Sequence, residues 1–446
     1  MDCISSRHSL EGEITVPGSK SHTIRAVLLG VLSGGATVVH NPLDSGDGLA
    51  AVNVARAFGA QVEQGDGWWR TTGTGRLRLP DDVIHTGNSG TATHFALAMA
   101  SLCEGWTVIT GDEQIRRRPV ADLLGALNVL GAQAWPTRPG SDAPPVILRG
   151  GLRGGEARLS GFSSQPVSAL LLAAGFAPGP TVILVDTPRE KPYIRMTLDW
   201  LARFGLPVPE YDQSFTRFAA AGVKASRGAV PAAATNRRFD IPADWSAAAF
   251  PLVAAVCTPS KVTITGLDFG DTQGDKEVAD ILISMGADIR KEPEQGRVTV
   301  YGGKPLMAAE IDLTDIPDGL PALVVAAAYA RGDTHFTGLA HVRVKETDRV
   351  DVMARELSRL GVRVLATRDT LTVHGGEAAL NGGEAESHGD HRVAMALAVA
   401  GLFARNPVRV SGVECVDVSF PGFFTRLNRI GAAIRLLPKA PTSDLG

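Results

Sequence analysis

The sequence of 446 residues lacks the features that mark several large classes of protein. Its four cysteines, at positions 3, 103, 257 and 415, lie far apart and form no CxxC pair. This spacing predicts free thiols in a reducing compartment and argues against a disulfide scaffold or a zinc site. Apolar stretches such as residues 322–330 are shorter than the roughly 18 to 20 residues that a membrane helix needs. Because no signal peptide is visible either, we expect a cytoplasmic protein outside the membrane.

Neither sign of charge is in large excess. Lysine and arginine together number 44, aspartate and glutamate 47, and the net charge is −3. Such a protein has no global basic field for nucleic acid or for an anionic membrane surface, and we expect neither as a partner. Any affinity for anions must therefore be local. With 44% hydrophobic residues, the chain is long enough to form two or three sizeable cores.

Six segments repeat one pattern, in which a polar tip opens a run of small apolar residues that ends in a turn and a short β-branched strand. A second segment with helical periodicity follows each copy and closes on a glycine, the expected helix stop. The copies cover residues 18–40, 89–110, 163–185, 244–265, 315–337 and 389–411, and the second segments cover 52–60, 123–132, 198–206, 278–287, 352–361 and 423–432. We predict six units of one buried helix, one amphipathic helix and several strands, three units to a domain.

The first helix of each repeat is apolar almost all round, so only its N-terminal end is available to a ligand. Unpaired backbone N–H groups and the helix dipole make such an end a natural anion site. Cationic residues that suggest anionic ligands stand in the first turns of two buried helices, namely Lys20, Arg25 and Arg392. Others stand just before two of the second helices, namely Arg116, Arg117, Arg118, Lys345 and Arg349. Packing alone also accounts for the small apolar helices. Any single arginine is also explained as an ordinary surface residue. Both interpretations therefore stay open at this point.

Eight motifs resemble those of the enolpyruvyl transferases, and within that family the branch that acts on shikimate 3-phosphate. The resemblance runs in order from about residue 12 to about residue 430. Its motifs are PGSKSHTIR (17–25), TGNSGTATHF (86–95), RRRPV (116–120), SSQPVSALLL (163–172), KPYI (191–194), IPDG (316–319), RVKETDR (343–349) and GDHRVAMA (389–396). The combination of PGSKS, KETDR and DHR is highly specific.

The resemblance implies an α/β fold of two domains, each an inside-out barrel of three βαβαββ repeats with its helix N-termini facing an interdomain cleft. It also implies that the N-terminal strand belongs to the second domain. We therefore expect one domain of residues 16–238 and another of residues 1–15 with 239–446. Residues 222–240, which have little apolar periodicity, fit the second crossing. Closure of the domains is expected to expel water and strengthen charge contacts.

The implied reaction transfers the carboxyvinyl group of phosphoenolpyruvate to the 5-hydroxyl of shikimate 3-phosphate and releases phosphate. It proceeds through a tetrahedral intermediate and requires proton transfer and charge stabilisation, so we expect no metal and no cofactor. By the resemblance, Asp318 deprotonates the hydroxyl, while Glu346 and Lys20 transfer protons at phosphoenolpyruvate. Asp318 is also placed to cap the following helix, and both roles are compatible. We expect a monomer.

The resemblance also assigns residues to the two substrates. Those assigned to phosphoenolpyruvate are Lys20, Gly90, Arg118, Gln165, Arg349 and Arg392. Those assigned to shikimate 3-phosphate are Ser21, Arg25, Ser163, Ser164, Gln165, Tyr193, Asp318 and Lys345. Arginine suits planar carboxylates and phosphates. The two serines are also typical N-cap residues of the third buried helix, which is compatible with binding.

Three positions depart from the family pattern. His94 stands where an arginine is usual, and Val418 stands where some members carry a lysine. We therefore hypothesise reduced sensitivity to glyphosate, the inhibitor that binds the phosphoenolpyruvate site of this family. Glu190 replaces a common serine just before KPYI and places a negative charge beside the predicted phosphate site.

Other functions stay open to different degrees. A family member with another acceptor is compatible with Glu190, whereas a noncatalytic anion-binding protein is disfavoured by the intact Lys20, Asp318 and Glu346. The related enzyme that acts on UDP-N-acetylglucosamine has a cysteine in a mobile loop, and residues 111–120 contain none.

Two cofactor sites are weaker alternatives. Residues 73–78 begin like a dinucleotide-binding turn but lack its third glycine. His388 and His391 are spaced to face one another, yet no further type of zinc ligand stands nearby.

Overall fold

The computed structural model describes residues 1–222, 236–376 and 380–438. The chain divides into two compact units, which we call the N-terminal unit (Gly18–Pro242) and the C-terminal unit (Met1–Pro17 with Ala243–Gly446). The divisions thus follow Pro17 and Pro242, whereas the domains expected from the sequence divide after residues 15 and 238. Part of the predicted crossing, residues 223–235, lies outside the described residues.

Helices of two kinds alternate along the chain. The helices are α1 (Lys20–Leu32), α2 (Gly46–Ala57), α3 (Gly90–Ala100), α4 (Ala121–Val129), α5 (Ser164–Ala174), α6 (Lys191–Arg203), α7 (Trp245–Val256), α8 (Glu277–Ser284), α9 (Leu320–Tyr329), α10 (Arg349–Arg359), α11 (His391–Ala400) and α12 (Phe423–Arg429). The odd-numbered helices are buried along nearly their whole length, and the even-numbered ones bury one side. None of the helices in the described ranges is long and apolar enough to cross a membrane.

A glycine with positive φ follows each even-numbered helix, which confirms the predicted helix stops. These glycines are Gly59, Gly131, Gly205, Gly286, Gly361 and Gly431. Glycine adopts this left-handed conformation without the steric cost that a Cβ atom imposes.

The strands are short and follow the predicted sixfold repeat. They are β1 (Asp2–Ser6), β2 (Leu10–Thr15), β3 (Gly35–His40), β4 (Gln61–Gly65), β5 (Trp68–Gly73), β6 (Ile84–His85), β7 (Trp106–Thr110), β8 (Gln133–Pro136), β9 (Val146–Arg149), β10 (Gly155–Leu159), β11 (Thr181–Val185), β12 (Glu210–Tyr211), β13 (Arg217–Ala220), β14 (Asn236–Asp240), β15 (Ser260–Thr265), β16 (Asp288–Glu292), β17 (Arg297–Tyr301), β18 (Glu310–Asp312), β19 (Gly332–Thr337), β20 (Arg363–Ala366), β21 (Leu371–Gly375), β22 (Gly383–Glu386), β23 (Val408–Ser411) and β24 (Ala433–Leu437).

Within the described residues the strands form six four-stranded sheets of one topology, each with one parallel pair and two antiparallel pairs. In the N-terminal unit the orders are β14-β3-β5-β4, β6-β7-β9-β8 and β10-β11-β13-β12. In the C-terminal unit they are β16-β17-β15-β2, β18-β19-β21-β20 and β22-β23-β1-β24. Four sheets take their parallel strand from just before their own buried helix. The other two exchange it, because β2 precedes α1 but pairs with β15, and β14 precedes α7 but pairs with β3.

Each unit has its own hydrophobic core, built around its three buried helices. In the C-terminal unit α7, α9 and α11 contact one another pairwise, and in the N-terminal unit α3 contacts both α1 and α5. Because these helices are covered on all sides, their ends are the parts that can carry polar groups. The fold therefore positions the candidate site at helix starts.

A close approach between strand and helix recurs in four of the six repeats. A Cβ atom added at any of four glycines would lie 1.7 to 2.3 Å from a carbonyl oxygen at the end of the preceding buried helix or just after it. The four are Gly73, Gly150, Gly302 and Gly375, and none of them has a positive φ. Glycine is needed here for space rather than for backbone conformation.

We expect Gly150→Ala to destabilise the protein by about 3 kcal/mol or more, because its Cβ would lie 1.7 Å from the backbone oxygen of Cys103. The matched control is Gly125→Ala, in the exposed face of α4 of the same unit, where nothing lies within 4 Å. Alanine is the better helix former, so this control should gain up to about 1 kcal/mol. Urea unfolding monitored by circular dichroism measures both. Equal stability of the two variants would contradict the close approach.

Candidate functional site

The start of α1 carries an ion pair. Lys20 is the first residue of the helix, and its Nζ lies 3.6 Å from Oδ2 of Asp47 in the first turn of α2. Both side chains are largely buried, so the carboxylate compensates an ammonium that the helix dipole disfavours. Ser21, the next residue, is half-buried. The sequence predicts the cation Lys20 at this helix start but does not indicate its acidic partner Asp47.

Arg25 lies one turn further along α1 and is held by protein atoms. Its buried guanidinium donates hydrogen bonds of 2.9 to 3.4 Å to Thr197 Oγ1, Ser21 O, Tyr193 O and Ser168 Oγ. Burial lowers the pKa of Arg25 to about 10, although nearby Tyr193 acts to raise it. These bonds tie α1 to α5 and α6. The assignment of Arg25 to shikimate 3-phosphate stays a prediction.

Three residues assigned to phosphoenolpyruvate lie together at the start of α3. A Cβ atom at Gly90 would lie 2.9 Å from Arg118 Nη1 and 3.1 Å from Gln165 Oε1. Arg118 Nη2 donates to Asn88 Oδ1 at 3.0 Å, and Gln165 Nε2 donates to Thr91 Oγ1 at 3.4 Å. Because Gly90 has no side chain, the guanidinium and the amide reach the end of the helix itself.

His94 lies on the same helix and is buried. Its Nδ1 lies 2.9 Å from the carbonyl oxygen of Gly90, so the imidazole is bonded within α3. The glyphosate hypothesis, which also rests on Val418, stays a prediction.

A buried carboxylate lies at the start of α5. Glu190, the residue before α6, is 2% exposed, and its Oε2 accepts hydrogen bonds from Ser164 N at 2.8 Å, Ser164 Oγ at 2.6 Å and Ser163 Oγ at 3.2 Å. Ser163 also accepts from the backbone N–H of Gln165 at 3.3 Å, which confirms it as the N-cap of α5. Tyr193 is buried in the first turn of α6.

One buried arginine binds three carboxylates in the C-terminal unit. Arg349 is the first residue of α10 and is fully buried. Its Nε donates to Asp390 Oδ2 at 2.8 Å, its Nη1 to Asp318 Oδ1 at 2.7 Å and its Nη2 to Glu346 Oε2 at 2.5 Å. Asp390 also caps α11 by accepting from the backbone N–H of Arg392 at 2.9 Å. We call Arg349, Asp318, Glu346 and Asp390 the Arg349 cluster. It joins the starts of α9, α10 and α11.

The prediction that Asp318 caps a helix is wrong. Asp318 lies inside a 3-10 turn, Pro317–Gly319, and the N-cap position of α9 is Gly319. The two carboxylate oxygens of Asp318 instead bind Arg349 Nη1 at 2.7 Å and Arg392 Nη2 at 3.0 Å. Two guanidinium groups offer stronger, charge-assisted bonds than a backbone N–H does.

Burial and charge act in opposite directions within the cluster. Burial lowers the pKa of Arg349, but its three carboxylate partners outweigh burial and raise it above the ordinary value. Burial raises the pKa of Asp390, but Arg349 outweighs burial and holds it below the ordinary value. Both groups are therefore charged near neutral pH.

Arg392 has hydrogen-bond donors that the described residues leave unfilled. Its side chain is buried, and its Nη2 donates to Asp318. Its Nε and Nη1 are also buried and have no hydrogen-bond partner in residues 1–222, 236–376 and 380–438. Burial lowers the pKa of Arg392, but nearby carboxylates, Asp318 foremost, outweigh burial and raise it. A charged group with buried unmatched donors is costly unless an anion binds there.

Some polar partners were not predicted from the sequence. Asp390 stands in the DHR motif and Asn88 in TGNSG, so both lay within recognised segments, and Asp47 follows the glycine that opens α2. The available signal was an acidic or amide residue beside a helix start that also carries a cation. Lys345, which was predicted, follows the 3-10 helix Ala340–Val344 and is half-buried.

The residues considered as zinc ligands and the segment considered for a dinucleotide have other contacts and positions in the structure. His388 Nε2 lies 2.9 Å from Glu356 Oε1. In the part of the chain that is described, no group of three or more His, Cys, Asp or Glu side chains is arranged to hold a metal ion. Residues 73–78 lead from the end of β5 toward β6 and open no helix.

Comparison with known proteins gives one family. The model of the EPSP synthase family, 3-phosphoshikimate 1-carboxyvinyltransferase, matches residues 4–427. The 3-phosphoshikimate 1-carboxyvinyltransferase of Acetivibrio thermocellus is 39% identical over 424 residues, which cover 95% of this chain and 96% of the relative. That of Halobacterium salinarum is 40% identical over 429 residues, which cover 95% and 97%.

Two solved structures of enolpyruvyl transferases are similar to this chain over nearly its whole length. EPSP synthase from Acinetobacter baumannii aligns with a TM-score of 0.78 and 31% identity over 98% of this chain and all of that one. The enolpyruvyl transferase NikO from Streptomyces tendae aligns with a TM-score of 0.77 over 97% and 98% of the two chains, but its 20% identity supports a common fold only.

We expect Arg349→Met to destabilise the C-terminal unit by about 3–5 kcal/mol, because three carboxylates would lose their shared buried cation. The control is Arg297→Met in β17 of the same unit, whose partner Glu292 is partly exposed, and whose loss should have a much smaller effect. Urea unfolding measures both. If the two variants lose equal stability, the Arg349 cluster does not hold the helix starts together.

Proposed function

The chain belongs to the EPSP synthase family, and on that premise we propose that it transfers the carboxyvinyl group of phosphoenolpyruvate to the 5-hydroxyl of shikimate 3-phosphate. The products are 5-enolpyruvylshikimate 3-phosphate and inorganic phosphate, on the route to chorismate and the aromatic amino acids. The observation that carries the proposal is the pair of unfilled buried donors on Arg392, next to the Arg349 cluster.

Phosphoenolpyruvate suits these donors chemically. A planar carboxylate or a phosphate group presents paired oxygens to a guanidinium, and a buried arginine binds such groups more strongly than an exposed one. The proposed contacts are those assigned by the resemblance, namely Lys20, Gly90, Arg118, Gln165, Arg349 and Arg392. Asp318 binds Arg349 and Arg392, so the substrate would share these cations with a protein carboxylate.

The same carboxylate is the proposed general base. In the addition step, the 5-oxygen of the acceptor bonds to C2 of phosphoenolpyruvate and its proton passes to Asp318. Glu346 or Lys20 delivers a proton to C3, which becomes a methyl group. In the elimination step, the methyl group returns a proton to the residue that delivered it, and the bond from C2 to the phosphate oxygen breaks. The phosphate leaves with the bonding electrons and takes up the proton from Asp318. The cationic residues among the proposed phosphoenolpyruvate contacts stabilise the tetrahedral intermediate between the two steps.

Helix starts also support a site for the acceptor. The residues assigned to shikimate 3-phosphate are Ser21, Arg25, Ser163, Ser164, Gln165, Tyr193, Asp318 and Lys345. The two serines and the backbone N–H of Ser164 are donors of the kind that bind a phosphate at a helix N-terminus. A second candidate is an acceptor without that phosphate, because Glu190 already accepts hydrogen bonds from these donors.

We further propose a monomeric enzyme of the cytoplasm. The four cysteines are free and three are buried, which fits a reducing compartment.

The test is an assay of phosphate release with both substrates, in which mass spectrometry identifies the product. We expect release that depends on phosphoenolpyruvate and shikimate 3-phosphate together, with one enol ether formed per phosphate. Efficient turnover with a different hydroxyl acceptor, and none with shikimate 3-phosphate, would replace the proposed acceptor. Binding of phosphoenolpyruvate without turnover of any acceptor would favour a noncatalytic anion-binding protein.

We expect Glu346→Gln to lower kcat by about 10² to 10⁴-fold, because glutamine cannot exchange the proton that C3 gains and loses. The hydrogen bond that Arg349 donates to this side chain is retained by the amide oxygen, so the fold should persist. The control is Glu310→Gln in β18, an exposed glutamate of the same unit. Steady-state kinetics and thermal melting measure the effects. Full activity of Glu346→Gln would remove this residue from the mechanism.

We expect Gly90→Ala to raise KM for phosphoenolpyruvate several-fold while leaving the melting temperature unchanged. The new methyl group would lie 2.9 Å from Arg118 Nη1 and 3.1 Å from Gln165 Oε1, both at the far ends of flexible side chains that can shift. Shifting them costs little stability but moves two proposed substrate ligands. Substrate titrations measure KM, with Gly125→Ala as the control. A loss of stability without a change in KM would indicate a packing role for Gly90.

A further inference from the structure

The carboxylate of Glu190 lies buried at the start of α5, where several hydrogen-bond donors surround it. Glu190 is almost completely buried, and one of its oxygens accepts three hydrogen bonds from Ser163 and Ser164. Two of the donors are hydroxyl groups and the third is a backbone N–H in the first turn of an 11-residue helix. Such a set of donors favours an anion, and here the anion belongs to the protein.

The proposed function assigns the same donors to the phosphate of the acceptor. A carboxylate and a phosphate group cannot both accept hydrogen bonds from one pair of serines at these distances. Two negative groups brought together in a buried site also repel each other more strongly than they do in water. Binding of the phosphate therefore requires that the Glu190 carboxylate moves away from the donors of Ser163 and Ser164.

The backbone at Glu190 is compatible with such a movement. Its φ of 53° and ψ of 39° lie in the left-handed region, which is costly for a residue with a Cβ atom. The residue is the N-cap of α6 but makes no side-chain capping bond there. The buried carboxylate is thus carried by a residue whose backbone conformation is strained.

We propose that Glu190 is a specificity-determining residue that occupies the phosphate position of the acceptor site and is displaced by the acceptor. This inference rests on the proposed function, because it takes shikimate 3-phosphate as the acceptor. A ligand that offers only a phosphate group has to displace the carboxylate with few other contacts. An acceptor that also bonds through its ring substituents has more binding free energy for the exchange, so Glu190 favours the acceptor over small free anions.

The test compares wild type with Glu190→Gln and Glu190→Ser. Glutamine keeps an oxygen that accepts from Ser164 N but carries no charge, and serine removes the group altogether. We expect KM for shikimate 3-phosphate to fall about tenfold or more in both variants, with kcat and KM for phosphoenolpyruvate little changed. Inorganic phosphate, measured as a competitor of shikimate 3-phosphate, should inhibit the variants more strongly than wild type.

A matched control removes one negative charge elsewhere in the same unit. Glu156→Gln in β10 changes an exposed glutamate and should leave both KM values unchanged. Thermal melting of each variant shows whether it is folded. A purely structural carboxylate predicts the opposite sign, a higher KM for shikimate 3-phosphate with a lower melting temperature, and that result in Glu190→Gln would overturn the inference.

The outcomes separate this inference from the proposed function. Turnover of shikimate 3-phosphate by wild type, with an unchanged KM in both Glu190 variants, rejects the role of Glu190 alone. Wild type that ignores shikimate 3-phosphate but turns over an unphosphorylated acceptor such as shikimate rejects the proposed acceptor. In that case Glu190 would be a permanent ligand of the acceptor rather than a group that it displaces.

Discussion

The binding chemistry of this protein depends on helices that are buried on every side. Such a helix has no polar flank, so its unpaired backbone N–H groups and any charge are confined to its start. Within the described residues each unit contains three of them, and several assigned residues lie at or near their starts. Others, such as Tyr193 and Arg349, lie at the starts of the amphipathic helices α6 and α10. The dipole at helix starts of both kinds explains the acidic partners. A cation at a helix start is disfavoured by the dipole, and Asp47 and Asp390 compensate Lys20 and Arg349.

Local signals in the sequence were sufficient to predict the repeat. Alternation of an all-apolar segment with an amphipathic one, closed by glycine, gave six helix pairs and their stops, because both signals act within a few residues. The exchange of β2 and β14 does not follow from such signals. A strand that pairs with β15 rather than with β3 has the same composition in either place, so the choice depends on contacts between residues about 250 positions apart.

Side-chain partners were harder to predict than side-chain identity. The family motifs identified Asp318, Glu346 and Arg349 one by one, but only the folded chain brings them to a single guanidinium. Asp318 shows why. An aspartate just before a helix is a typical cap by its sequence, yet two arginines from α10 and α11 bind it in preference. The sequence identified Glu190 as an unusual negative charge. Its hydrogen bonds to both serines could not be predicted without the geometry of the α5 start.

These contacts give ligand binding the character of an exchange of anions. Arg349, Arg392 and the donors of Ser163 and Ser164 all bind protein carboxylates in the structure, so an incoming anion competes with a partner that is already in place. The free energy of binding is then the difference between two charge-assisted interactions, which is smaller than the interaction with the ligand alone. Small differences in shape and charge between ligands therefore decide which anion is retained. The two unsatisfied donors of Arg392, buried among the described residues, offer a gain that no protein carboxylate offsets.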